Sequence, residues 1–135
     1  MKIKDVINGI KTDMEAVLPA LVEKYGQPPL DDFSVGYPFS QDKLSCCLRF
    51  AKLEFLGDFE FIVHLSLPHT EEEAAYDYLQ AVCEYLANFE TVDYGFYEGT
   101  YILELYENDF NHGDIQAFFS VTLKKAVEDC DLGVG

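Results

Sequence analysis

The sequence predicts an α+β fold in which two helices pack on one face of a mainly antiparallel sheet of five to six strands. The chain has 135 residues, 49% of them hydrophobic, with 11 Phe and 9 Tyr, which is enough to form the core of one domain, residues 1–135. Two segments repeat apolar residues at the helical period, and the others alternate with period two. The order α-β-β-β-α-β-β-β supplies too few helices to cover both faces of a sheet. The expected boundaries are 1–26 and 70–88 for the helices, 33–67 and 92–125 for the strands, and 126–135 for a frayed tail.

The first helix is expected to carry one apolar stripe and to end at Gly26, because glycine readily adopts the left-handed conformation that closes a helix. Pro19 lies within this stripe. Because proline removes one backbone hydrogen bond, it predicts a kink or a split near Val17. The next residues, 27–32, include two prolines and predict an extended linker.

Three strands are expected before the second helix. Residues 33–39 predict a short edge strand, because a glycine and a proline interrupt it. Residues 44–55 alternate until the phase slips near Ala51 or Lys52, which predicts a β-bulge. Residues 59–67 alternate throughout and complete a hairpin with the preceding strand.

The second helix has an acidic start. Thr70 is expected to be its N-cap, and Glu73 the partner in a capping box. The run Glu71 to Glu73 also lies at the positive end of the helix dipole. The three glutamates therefore have a structural explanation, and we do not assign them to a metal site.

Three further strands are expected after this helix, with a turn at Glu98-Gly99. Residues 108–114 are rich in turn-forming residues and begin like a calcium-binding loop. Gly113 stands where an oxygen ligand is needed, and Ser120 where a bidentate glutamate is needed. The segment is therefore interpreted as a hairpin loop.

The helical period and the strand alternation of the apolar residues together also predict the core. The expected members are Val6, Ile10, Val17, Leu21, Phe61, Val63, Leu79, Val82, Leu103, Phe119 and Val121.

The charge of the chain is acidic and unevenly distributed. Nine Lys and Arg stand against 25 Asp and Glu, a net charge of −16, and residues 53–123 hold fifteen acidic residues without a single Lys or Arg. Such a chain cannot replace the counterions around nucleic-acid phosphates, and an anionic membrane repels it. The acidic half is therefore either a solvated face or a surface whose self-repulsion a basic partner relieves.

The chain shows no sign of export or membrane insertion. No apolar run approaches the roughly 20 residues of a membrane helix. Acidic residues within the first twenty positions argue against a signal peptide. We expect a cytoplasmic protein.

Residues that could carry chemistry are few. The four cysteines lack metal-binding spacing, so we expect reduced thiols, and His64 and His69 lack a third ligand for zinc. There is no phosphate-binding glycine loop and no nucleophile motif, and Arg49 is the only arginine. We therefore expect neither an enzyme, nor a cofactor, nor a metal. The cysteines are Cys46, Cys47, Cys83 and Cys130.

One segment interleaves tyrosine with acid and predicts a surface for a protein partner, since tyrosine anchors contacts at low entropic cost. The alternative is that half of these tyrosines belong to the core. A small basic counter-surface is expected nearer the N-terminus. The expected partner surface comprises Tyr94, Glu98, Glu104, Tyr106, Glu107, Asp109 and Asp114, and the counter-surface Lys43, Arg49 and Lys52.

The order of elements resembles that of the tail-terminator, or tail-completion, proteins of long-tailed phages and prophages. The matching features are the amphipathic helix Ile3 to Tyr25, the hairpin, the strand Phe59 to Leu67 running into the acidic helix start TEEEAA, and the last strand IQAFFSVTLKK. The resemblance implies a non-catalytic protein of the virion. It also implies a homohexameric ring on the tail tube that stops tube growth and meets the connector proteins. It assigns no site residues.

Two other classes of function fit the sequence. An acidic inhibitor or immunity protein would present residues 53–123 to a basic nuclease or another nucleic-acid-binding protein. An enzyme without a readable motif is the third reading. In a ring, the cation-bearing residues 1–52 of one subunit would face the acidic part of the next.

Overall fold

The structure, a computed structural model, describes residues 2–36, 42–54, 57–89, 96–109 and 113–125, and within the fourth strand the side chains of residues 102–104. It confirms the α+β class, with two helices and a sheet of five strands. The elements are α1 (Ile3–Lys24), β1 (Asp32–Val35), β2 (Ser45–Leu53), β3 (Phe59–Leu67), α2 (Glu72–Ala87), β4 (Phe96–Asp109) and β5 (Asp114–Lys125).

The sheet has the strand order β1-β2-β3-β5-β4. Every neighbouring pair is antiparallel except β1 and β2, which are parallel. β1 is an edge strand, as its sequence predicts, and Gly36 with a φ of +76° follows it. In the parallel pair, Asp32 lies opposite Ser45 and Val35 opposite Leu48.

Both helices cover the same face of the sheet. Their buried stripes form a single apolar cluster with alternate residues of β2, β3 and β5, which include Phe61 and Phe119. Two polar contacts also join the helices: Lys24 Nζ lies 2.8 Å from Glu84 Oε1, and the Tyr85 hydroxyl donates to Asp13. An acidic residue from the cation-free part of the chain is thus paired with a lysine of α1.

α1 continues through Pro19 and does not split. Met14, Leu18 and Val22 are fully buried on both sides of the proline. Their burial, worth roughly 1.5–3 kcal/mol each, offsets the loss of one hydrogen bond. Val17 is 40% exposed, so its assignment to the core was wrong.

The C-terminus of α1 confirms the predicted stop at Gly26. Gly26 has a φ of +86°, its N–H donates to the Glu23 carbonyl, and the Gln27 N–H donates to the Val22 carbonyl. This pair of bonds is the Schellman motif, which satisfies carbonyl groups that the helix end would otherwise leave open.

The β-bulge predicted near Ala51 is present. The pairing of β2 with β3 shifts between Phe50 and Lys52. The extra residue places Lys52 on the same face of the sheet as Arg49, whereas regular alternation would put them on opposite faces.

The turn predicted at Glu98-Gly99 was wrong. Both residues lie inside β4, where Gly99 pairs with Leu123, and β4 and β5 together replace the three strands expected over 92–125. The continuous ladder offered by β5 outweighs the local turn preference. Residues 92–95 and the tail at 126–135 lie outside the described residues. Leu103 is 36% exposed and so does not belong to the core.

The predicted capping box at the start of α2 was also wrong. Glu71 is the N-cap, and it makes no side-chain cap hydrogen bond. The Thr70 hydroxyl instead donates to the Pro68 carbonyl at 3.1 Å, and the Thr70 N–H donates to the Gly113 carbonyl at 2.9 Å. Thr70 therefore ties the helix start to β5, and this tertiary contact displaces the expected cap.

Candidate functional site

The face of the sheet away from both helices carries the polar and charged residues of the strands. We call it the helix-free face. All five strands contribute to it, β1 through Ser34, and the register aligns their alternate residues in rows that run across the sheet. The described side chains of β2 to β5 on this face include those of Cys47, Arg49, Lys52, Glu60, Ile62, His64, Ser66, Ile102, Glu104, Gln116, Phe118, Ser120 and Lys124.

A buried hydrogen-bonded group occupies the middle of the helix-free face. The His64 ring stacks on Phe118 with ring centroids 4.2 Å apart, and His64 Nε2 lies 2.5 Å from Gln116 Oε1. Gln116 Nε2 in turn donates to Ser66 Oγ at 3.0 Å. These contacts hold the imidazole in one orientation and make this part of the face rigid.

Burial lowers the pKa of His64, because removing water disfavours the charged imidazolium. The hydrogen bond that Gln116 Oε1 accepts from the imidazole acts in the opposite direction, and the positive charge of Arg49 adds to the lowering. His64 is therefore neutral at physiological pH.

Cys47 is the cross-strand partner of His64, so the register brings a thiol next to an imidazole. Cys47 Sγ lies 3.0 Å from the Gly36 carbonyl oxygen, and burial raises the pKa of the thiol, although the Ser34 hydroxyl and the Arg49 charge partly oppose that rise. A nucleophilic cysteine needs a lowered pKa. The pair is thus a neutral thiol beside a neutral imidazole, which is not the arrangement of a thiolate nucleophile.

The other cysteines agree with a structural role. Cys46, Cys47 and Cys83 are free thiols, and burial raises the pKa of Cys46. Cys130 lies outside the described residues. Within the described ranges, no three His, Cys, Asp or Glu side chains are placed to hold a metal ion.

Charged residues lie on both sides of the helix-free face. Arg49 and Lys52 lie on β2 towards one side of the sheet, and the exposed Glu104 lies on β4 at the other. Lys52 Nζ is 2.7 Å from Glu54 Oε1, and both side chains are largely exposed. Acid is also present on the β2 side, where Glu54 and Glu60 lie next to Lys52, and a cation is present beside β4, where Lys124 of β5 is exposed.

The residues predicted for the partner surface are only partly brought together. Four of them lie in β4 at positions that face the same side of the sheet. Their backbone partners in β5 are Lys124 for Glu98, Phe118 for Glu104, Gln116 for Tyr106 and Asp114 for Asp109. Glu107 pairs with Ile115, one residue out of this alternation, and Tyr94 lies outside the described residues.

The predicted counter-surface is also divided. Arg49 and Lys52 share the helix-free face, but Lys43 precedes β2 and lies exposed at the other end of that strand. The structure thus brings two of the three predicted cations together.

Sequence reasoning missed the apolar part of the site. Ile102 is 69% exposed, next to the exposed Leu103. Adjacent strand residues point to opposite faces, so β4 presents apolar surface on both. The available signal was this consecutive pair of apolar residues directly before Glu104.

Comparison with protein-family models gives no match. Curated protein sequences also contain no significant match to this chain. No helix within the described ranges is long and apolar enough to cross a membrane. The assignment of function therefore depends on the helix-free face and the two sides of the sheet.

The buried His64 predicts a specific dependence of stability on pH. Its folded-state pKa is lowered from 6.5, so the unfolded chain takes up a proton first as the pH falls. The free energy of unfolding should therefore be unaffected by His64 above pH 6.5 and should fall below it. His64→Gln removes this contribution and should flatten the change between pH 7 and 5 in denaturant titrations. His69→Gln, at an exposed position, is the control; equal pH profiles for wild type and His64→Gln would contradict the prediction.

Proposed function

We propose that this protein is a non-catalytic tail assembly protein of a phage or prophage, a tail terminator whose subunits join head to tail in a ring on the end of the tail tube. The observation that supports the proposal is the difference between the two sides of the helix-free face. Arg49 and Lys52 lie on the β2 side, and the exposed Ile102 and Glu104 lie on the β4 side.

Two unlike sides are what a ring requires. Each subunit of a ring uses two different patches, and the contact repeats until it closes. A chain of net charge −16 repels copies of itself, so contacts between the cations of one copy and the acid of the next would favour association. We expect Arg49 and Lys52, on the opposite side of the sheet from Glu104, to make such contacts, with Lys52 exchanging its exposed ion pair with Glu54.

The state of the helix-free face also supports a structural role. His64 is held neutral and hydrogen-bonded, and Cys47 is held as a thiol, so neither is prepared for proton transfer or nucleophilic attack at neutral pH. A rigid, uncharged centre between two charged sides suits a contact surface.

Self-association and its dependence on salt test the proposal. Sedimentation velocity on concentrated protein should detect an oligomer that dissociates as salt rises, because screening over the ~8–10 Å Debye length weakens charge contacts. Added tail tubes should favour the ring, and deletion of the gene should produce tails of abnormal length. Tight one-to-one binding to a basic toxin, without self-association and without an effect on tail length, would contradict the proposal.

That last outcome would favour the second candidate, an acidic inhibitor of a basic nuclease or other nucleic-acid-binding protein. The observation in its favour is the start of α2. Glu71 and Glu73 are exposed, and no ion pair to either is present among the described residues. Such a surface would attract a basic protein rapidly and in a salt-dependent way.

A further inference from the structure

An apolar groove of about 550 Å³ lies between the first turns of α1, the end of β1 and the middle of β2. Its volume is within the range of about 300–1,000 Å³ that is usual for small-molecule sites. Ile3, Val35 and Phe50 line it, and they are 37%, 40% and 41% exposed, although each is a large hydrophobic side chain. Ile7 also lines the groove and is almost fully buried. The groove is therefore an apolar surface that a ligand can reach.

The charged residues that line the groove are both cations. They are Lys4 on α1 and Arg49 on β2, and no described residue of the lining is acidic. The groove belongs to the part of the chain without net charge, since residues 1–52 hold seven basic and seven acidic residues and include every described lining residue. Lys4 is exposed, and within the described ranges no carboxylate forms an ion pair with it. The groove thus combines apolar surface with positive charge.

The sheet edge beside the groove has room for a short occupant only. β1 pairs with β2 as far as Leu48, and the Gly36 N–H still donates to the Leu48 carbonyl at 2.8 Å. No described strand pairs with residues 50–53 on that side, but β1 and Gly36 lie in line with them on the same edge. An added strand of about five to six residues would be longer than this segment and would meet β1 or extend past the end of β2. A small ligand therefore fits better than a strand from a partner protein.

We propose that the groove binds the anion of a medium-chain fatty acid. The aliphatic chain covers Ile3, Val35 and Phe50, and the carboxylate lies at Lys4, with Arg49 as the second cation of the lining. Burial of apolar surface supplies the affinity, and the two cations favour an anion over a cation with the same chain. This inference goes beyond the proposed assembly function and does not depend on it.

Binding of decanoate, measured below the concentration at which it forms micelles, tests the inference. Calorimetric titration should show one saturable site, and the methyl NMR signals of Ile3, Ile7 and Val35 should shift along the same binding curve. Each methylene removed between decanoate and hexanoate should raise the dissociation constant about two- to fourfold, because less apolar surface is covered. Decyltrimethylammonium, which has the same chain length and the opposite charge, should not produce these shifts.

Two exposed residues of the groove supply the variants. Lys4→Glu should raise the dissociation constant of decanoate about five- to tenfold, because it replaces an attraction by a repulsion of the size usual for exposed charges. Phe50→Glu places a carboxylate on the apolar wall and should abolish the methyl shifts. Lys43→Glu makes the same change of net charge at an exposed position outside the groove and should bind decanoate like the wild type. Lys4 is not one of the cations assigned to the ring contact, so failure of this inference and failure of the ring proposal are distinguishable.

Each result supports or overturns the inference. Saturable binding that Lys4→Glu weakens and Lys43→Glu does not weaken supports it. Absence of saturable binding, equal binding of decyltrimethylammonium in the groove, or unchanged binding by Lys4→Glu overturns it. If the methyl signals shift with protein concentration alone, a second copy occupies the groove and the fatty-acid inference is wrong. Circular dichroism should confirm that the variants are folded, and if Phe50→Glu unfolds, the comparison of Lys4→Glu with Lys43→Glu still tests the site.

Discussion

Replacement of Phe61 by Ala should lower the free energy of unfolding by about 3–5 kcal/mol. Phe61 is fully buried on the central strand β3, where it pairs with Phe50 on one side and Val121 on the other, and its ring centroid lies 6.3 Å from that of Phe59. Rigid strands on both sides limit how far the cavity can collapse. Chemical denaturation monitored by circular dichroism measures the loss.

Phe119→Ala, which removes an equally buried ring from β5, should have a similar effect. The matched control is Phe50→Ala, because Phe50 is partly exposed and loses less contact when truncated. A total stability of about 5–15 kcal/mol is usual for a domain, so either core substitution removes a large share of it. If Phe61→Ala and Phe50→Ala cost the same, the assigned facing of β3 is wrong.

Gly113→Ala should be nearly as damaging, although it adds a single methyl group. Gly113 has a φ of +66°, where an L-residue costs about 1–2 kcal/mol. A Cβ there would also lie 2.9 Å from the Thr70 carbonyl oxygen, which is backbone and cannot rotate away, and such overpacking adds about 1–3 kcal/mol. Thermal and denaturant unfolding should both show the loss.

Gly26→Ala separates these two effects. Gly26 has a φ of +86°, but nothing lies within 4 Å of the position its Cβ would take. The Gly26→Ala variant should therefore lose only the free energy that a positive φ costs an alanine. Equal losses for the two alanine variants would mean that the contact between Gly113 and Thr70 does not constrain the fold.

The parts of the fold that the sequence predicted are those where local pattern and tertiary packing agree. β3 was predicted at its observed bounds because alternation, a turn before it and a proline after it all coincide. The phase slip in β2 likewise identified its bulge. Prediction failed where a residue distant in sequence determines the local structure. Pairing with β5 keeps Glu98 and Gly99 within β4, and the Gly113 carbonyl accepts the hydrogen bond of the Thr70 N–H.

The site was predictable in its charges but not in its geometry. The uneven charge along the chain pointed to Lys43, Arg49 and Lys52 as a basic surface and to Glu104 as one of seven residues of a partner surface. The sequence could not show that β1 ends early and leaves a groove, nor that Leu103 is exposed, because both follow from which strands lie at the edges of the sheet. Edges are set by strand order, and strand order is a long-range property.

The strand order also has a consequence for how the chain folds. β2 and β3 are neighbours in sequence, and so are β4 and β5, so each of these pairs can form across a short connection. β3 can pair with β5 only after residues 68–113 have been closed into a loop. This is the longest loop that any antiparallel pair of the sheet must close, and so it has the largest loop-closure penalty. The pairing of β3 with β5 should therefore form last and set the folding rate. The β2–β3 and β4–β5 pairs should be partly structured in the transition state.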